Sequence, residues 1–138
     1  KINHALSNNL KIIFCIGENL KEKKLKKTKK VIQHQLKTVL SNDKIDKKKI
    51  IVAYEPIWSI GTGLIPNNKD LLGTIKHIKK VLNSIFKSKK VPPVLYGGSV
   101  DETSVKQFKL IKEIDGFLIG GASKSDKKFI DIIKNYYR

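Results

Sequence analysis

The stretch Ile50-Ile51-Val52-Ala53-Tyr54-Glu55-Pro56-Ile57-Trp58-Ser59-Ile60-Gly61-Thr62-Gly63 joins an apolar run to a carboxylate, a proline and a loop that closes on two glycines. The run Ile50 to Tyr54 holds no charged residue. Continuous rather than alternating apolarity predicts a strand covered on both faces, as in a parallel sheet. Ile12 to Ile16, Val94 to Tyr96 and Gly116 to Ile119 read the same way.

Parallel strands need crossovers, and helical patterns fill the gaps. Leu71, Ile75, Ile78, Leu82 and Ile85 recur at spacings of four, three, four and three, one stripe of an amphipathic helix, with Asn67 after Pro66 as its N-cap. Leu25, Ile32, Leu36 and Val39 outline a second helix carrying the run Lys21 to Lys30, which reads as a solvated outer face. Val105, Phe108 and Ile111 outline a third helix, and Phe129, Ile133 and Tyr136 a fourth. The order is a helix end (Lys1 to Asn8), then strand–helix four times, without a linker or low-complexity block. A chain that opens inside a helix is expected to be a piece of something longer.

With 138 residues and 40% hydrophobic content the chain is expected to form one domain with a real core. No stretch approaches the ~18 apolar residues of a membrane span, and a single Cys fits a reducing compartment. The expectation is a cytoplasmic protein with no membrane partner. A net charge of +17 raises nucleic acid as a partner, but 28 of the 29 basic residues are Lys. Nucleic-acid readers favour the planar fork of Arg, and the Lys21 to Lys30 run has no interleaved aromatics. Abundant Lys, Ile and Asn together fit AT-rich codon drift, so no nucleic-acid partner is expected.

In parallel α/β folds ligands sit beyond the carboxyl ends of the strands. The segments there are Cys15-Ile16-Gly17-Glu18, Glu55 to Gly63, Tyr96-Gly97-Gly98-Ser99-Val100 and Gly120-Gly121-Ala122-Ser123, which hold seven of the nine glycines. Exposed N–H groups in such loops can cradle a phosphate. Each segment also has a plain explanation: a Gly-Gly can be a tight turn, Glu55 a surface carboxylate, Trp58 core, and Cys15 a buried small hydrophobe. His4, His34 and His77 have no clustered partners and are assigned to surfaces or ordinary packing.

The joint pattern decides between these readings. Ala53 to Gly63 resembles the catalytic loop of the triosephosphate isomerase family almost letter for letter. Tyr96-Gly97-Gly98-Ser99-Val100, Asp115 to Ser123, and Cys15-Ile16-Gly17-Glu18 after His4-Ala5-Leu6 resemble the same family, in order along the whole chain. The resemblance implies an α/β TIM (β/α)8 barrel, of which residues 1–138 would be the C-terminal half: the end of helix 4, strands 5 to 8 and helix 8. The N-terminal half would be absent, and with it the family's lysine and its electrophilic histidine. None of His4, His34 and His77 sits in a matching motif.

The implied reaction interconverts dihydroxyacetone phosphate and glyceraldehyde 3-phosphate through an enediol, in glycolysis and gluconeogenesis. Glu55 matches the base. Pro56, Ile57, Trp58, Ser59, Ile60, Gly61, Thr62 and Gly63 match the lid, with Tyr96 receiving it when closed. Gly61, Ser99, Gly120 and Gly121 match the phosphate contacts. A carboxylate on a movable loop suits proton abstraction, since it can be desolvated as water leaves. The pairing of glutamate base with neutral histidine is this family's own standard illustration. Neither cofactor nor metal is implied. The partners implied are a triose phosphate, the missing half of the barrel and, for the full-length protein, a second copy in a homodimer. Lys124 departs from the family's usual leucine, outside the phosphate loop. Another phosphate-binding barrel would share the glycine loops but lack Glu-Pro-Ile-Trp-Ser-Ile-Gly-Thr-Gly. An inactive truncated product and a basic nucleic-acid module are the remaining readings.

Overall fold

A computed structural model describes residues 1–41 and 45–137. It forms one parallel sheet in the order β1 (Ile12–Ile16), β2 (Ile50–Tyr54), β3 (Val94–Tyr96), β4 (Gly116–Phe117). Ile12 is in register with Ile50, Val52 with Val94, and Leu95 with Gly116. Three strands match the apolar runs end to end. β4 stops two residues early: Leu118 still donates to the Tyr96 carbonyl at 3.0 Å, and the chain then turns into Gly120.

The helices are α1 (Ile2–Ser7), α2 (Leu20–Lys24), α3 (Thr28–Leu40), α4 (Asn68–Phe86), α5 (Ser104–Phe108) and α6 (Asp126–Tyr137). α4 follows its pattern closely. Asn67 accepts from the Asp70 N–H at 2.8 Å, and Leu71, Ile75, Ile78 and Leu82 are buried. Burying each such side chain stabilises the fold by about 1.5–3 kcal/mol. Its end falls at Lys87, which takes the left-handed conformation usual for glycine.

The lysine-rich segment is two helices rather than one. Asn19 and Glu22 form a reciprocal capping box that starts α2. Lys26 then turns to φ 55°, which no helix continues through, and α3 begins afresh at Thr28. Leu25 is consequently 53% exposed, and the buried stripe is Ile32, Leu36 and Leu40. α5 ends at Phe108, leaving Ile111 buried in the turn that follows. On α6 the buried residue is Ile132, while Phe129, Ile133 and Tyr136 face outward.

The core lies on one side of the sheet. Val52, Tyr54, Val94 and Tyr96 meet α3, α4 and α5 there, with Phe108 edge-on to Tyr96 at 4.9 Å between ring centroids. The opposite face differs from the expected double coverage. Ile13 is 48% exposed, Cys15 is exposed, and Ile51 and Leu95 are half-buried. No second layer packs on this face among the described residues. Among them, too, no helix is long and apolar enough to cross a membrane.

Candidate active site

The parallel ladder carries the chain past each strand end and so builds one rim. Glu55 N–H donates to the Ile16 carbonyl at 2.7 Å, and Gly97 N–H to the Tyr54 carbonyl at 2.9 Å. With Leu118 N–H donating to the Tyr96 carbonyl at 3.0 Å, these bonds fix the four post-strand segments side by side. Two glycines then admit Glu55. A Cβ on Gly17 would collide with the Glu55 carbonyl, and one on Gly97 would lie 2.7 Å from the Glu55 Cγ. Gln35 of α3 pins Gly17 from both sides, accepting from its N–H at 3.0 Å and donating to its carbonyl at 2.9 Å.

Cys15 is not the buried hydrophobe expected of it. Its side chain lies on the open face of the sheet, and the thiol donates to Glu55 Oε1 at 3.6 Å. The alternation of β1 explains this: Ile16 points to the core, so Cys15 cannot. Partial burial of the sulfur, the Glu55 charge and that hydrogen bond together raise the thiol pKa.

The loop after Glu55 is compact and internally bonded. Ser59 N–H donates to the Pro56 carbonyl at 2.8 Å, and the Thr62 hydroxyl bonds the Trp58 and Ser59 carbonyls at 3.1 and 3.2 Å. Gly61 and Gly63 stand at φ 68° and 75°. A Cβ at either would meet nothing within 4 Å, so backbone conformation and not space demands glycine there. Ile57, Ile60 and Gly61 are exposed.

Two clasps hold this loop. At its leading end Glu18, 1% exposed, accepts from Trp58 Nε1 at 2.9 Å and from the Tyr54 hydroxyl at 3.1 Å. Burial first, then the Glu18 charge, pushes the Tyr54 pKa up, so the phenol stays a donor. Lys23 Nζ sits 3.3 Å from the centre of the Trp58 ring. Further along, Ser99 Oγ donates to the Ser59 carbonyl at 2.5 Å, and Ser59 Oγ lies 3.3 Å from the Tyr96 hydroxyl. Gly98 is glycine for this contact, since a Cβ there would lie 2.8 Å from Ser59 Oγ and overlap the Tyr96 ring hydroxyl.

The structure thus brings Glu55, Cys15 and Gly97 into one cluster, and Ser59, Tyr96 and Ser99 into another. Trp58 is half-buried against Glu18 rather than in the core. Gly120 and Gly121 are exposed beyond β4, where Ser123 N–H bonds back to the Gly120 carbonyl at 3.0 Å. Among the described residues no hydrogen bond joins Gly61 to Ser99, Gly120 or Gly121. His4 and His34 are exposed, and His77 Nε2 lies 3.1 Å from the Lys29 carbonyl. Sequence reasoning assigned no role to Glu18 or Gln35. The one signal for Glu18 was its position, a lone carboxylate just past a strand end after Ile16-Gly17. Gln35, on a distant helix, had none.

The family model for triosephosphate isomerase matches residues 1–136. The triosephosphate isomerase of Saccharomyces cerevisiae is 42% identical over 137 residues, 98% of this chain and 54% of that protein. That of Dictyoglomus turgidum is 39% identical over 139 residues, 98% of this chain and 55% of its own length. That of Mycoplasmoides gallisepticum is 40% identical, covering 97% of this chain and 54% of its own length. The chain spans about half the length of these curated relatives.

Proposed function

The chain belongs to the triosephosphate isomerase family, and from that we propose that it is the C-terminal half of an isomerase barrel acting on triose phosphates. The observation that carries this reading is the seat of Glu55. Its carboxylate stands at a strand end, reached by the Cys15 thiol at 3.6 Å and backed by a backbone that tolerates only glycine at position 97. It heads a loop that Ser99 and Tyr96 clasp at Ser59.

In this reading Glu55 removes the proton from the substrate carbon and returns it to the neighbouring one. The enediol oxygen between the two steps needs an electrophile, which the N-terminal half supplies together with the lysine. Pro56 to Gly63 closes over the substrate, excluding water, and offers the Gly61 N–H to the phosphate. Ser99, Gly120 and Gly121 offer further polar groups to the same phosphate. The half-open sheet face, with Ile13 and Leu95 on it, becomes barrel interior once the other half is in place. The completed protein works in the cytoplasm as a homodimer.

The test is complementation in a host without isomerase. The chain co-expressed with the N-terminal half of a relative should restore triose phosphate interconversion. Restoration by the chain carrying Glu55→Gln, or none by the parent pair once its assembly is verified, would refute the proposal.

A further inference from the structure

A cavity of about 650 Å³ opens between α3 and α4 behind Trp58, and none of Glu55, Ser99, Gly120 and Gly121 lines it. Its volume is that of a small-molecule site. Lys23 of α2, Lys26 of the turn after it, Lys29 of α3 and Lys69 of α4 all line it. Lys76 does too, but is paired with Glu113 at 3.3 Å. The other four make no ion pair among the described residues. The two carboxylates in the lining are engaged: Glu18 holds Trp58 and Tyr54, and Asp70 accepts from the Asn67 amide at 2.8 Å.

Lys29 and Lys69 stand in the first turns of their helices, where the positive end of the helix dipole disfavours a cation, although in α4 the Asn67 cap and Asp70 offset it. α3 has neither an acidic residue in that turn nor a side-chain cap. Lys26 takes the left-handed φ of 55°, unusual for a residue with a side chain. Partial burial lowers the Lys23 pKa while its ammonium lies over the Trp58 ring. Four lysines without an ion pair among the described residues and two engaged carboxylates line one groove, so its lining is net positive and attracts an anion.

We propose that this groove binds a small phosphate-type polyanion, either a free polyphosphate or the phosphate chain of a nucleotide, at a site separate from the strand-end rim. Both walls belong to helices of this chain that pack on each other, so completing the sheet at its free edges, β1 and β4, leaves the groove open. Trp58 is the chain's single tryptophan and forms part of the wall, so it reports occupancy directly. An effect of the anion on loop closure would rest on the lid reading above; binding itself does not.

The experiment titrates inorganic triphosphate, and separately ATP, at constant ionic strength. It is run in the cold on the 138-residue chain, and on the chain paired with a tryptophan-free N-terminal half. Trp58 fluorescence and equilibrium dialysis read binding. The double variant Lys29→Glu/Lys69→Glu should weaken it at least about tenfold. Both substitutions suit a helix N-terminus, so the variant should keep its fold, checked by circular dichroism. Lys127→Glu/Lys128→Glu, in the first turn of α6, makes the same change of net charge and should leave binding within about twofold. Tighter binding of ATP would assign a nucleotide, and equal binding a free polyphosphate. No saturable binding overturns the proposal, as does equal loss in the two double variants, or loss through Ser99→Ala instead.

Discussion

Glu55 is one oxygen away from an amide, and that difference isolates its chemistry. Gln keeps the volume beside Gly97 and an acceptor for the Cys15 thiol but cannot take a proton. In the completed enzyme Glu55→Gln should lower turnover by the ~10²–10⁴-fold of a lost general base and leave phosphate binding largely intact. Turnover within about tenfold of the parent would remove Glu55 from the role. Cys15 provides an independent check on the same contact. Its thiol pKa is raised by partial burial, by the Glu55 charge and by the hydrogen bond. Removing the charge should therefore lower that pKa toward its ordinary value, so alkylation at mildly alkaline pH should be faster in Glu55→Gln. A pH–rate profile for iodoacetamide measures this, and an unshifted profile would show that the 3.6 Å contact does not persist in solution.

At the scale of the element, the loop from Pro56 to Gly63 is held at two adjacent residues, by Glu18 through Trp58 and by Ser99 and Tyr96 through Ser59. Its tip, with Ile60 and Gly61 exposed, follows directly and is tied back by the Thr62 hydroxyl to the Trp58 and Ser59 carbonyls. That arrangement suits a stiff flap rather than a floppy chain. An enediol phosphate that meets water before reprotonation loses phosphate and gives methylglyoxal. Replacing Ile57 to Thr62 by a short glycine link in the completed enzyme should lower turnover and raise the methylglyoxal share, since Glu55 remains but is unshielded. Product partitioning measures it. A fall in turnover with an unchanged share would mean that the loop positions the base without shielding the intermediate.

The whole molecule has one finished face and one open one. Its sheet ends in two unpaired edges, β1 and β4, and Ile13, Ile51 and Leu95 lie on a face that no layer covers among the described residues. The edges expose unpaired backbone donors and acceptors, which favours association. On its own the chain should turn over no triose phosphate, melt broadly at modest temperature and sharpen its transition when the N-terminal half is added. Calorimetry with and without that half measures this. A lone monomer unfolding cooperatively at high temperature would contradict the half-barrel account.

Strand positions, the α4 cap at Asn67 and the glycines of the loop after Glu55 were all readable from the sequence, because each depends on local chemistry. An apolar run, an amide capable of capping, and Gly61 and Gly63 at positive φ are properties of neighbours in the chain, whereas Gly17 and Gly97 are glycine because Glu55 packs against them. Tertiary structure alone decided which way side chains point and what they meet. The break at Lys26 was hidden because a lysine run has no periodicity to interrupt. Cys15 faces outward because β1 alternates and Ile16 claims the core, a choice that composition cannot express. Glu18 is buried only because Tyr54 and Trp58, from 36 and 40 residues further on, bring it their donors. A buried carboxylate is stable where such partners converge, and convergence is set by the fold and not by the stretch of chain that carries the charge.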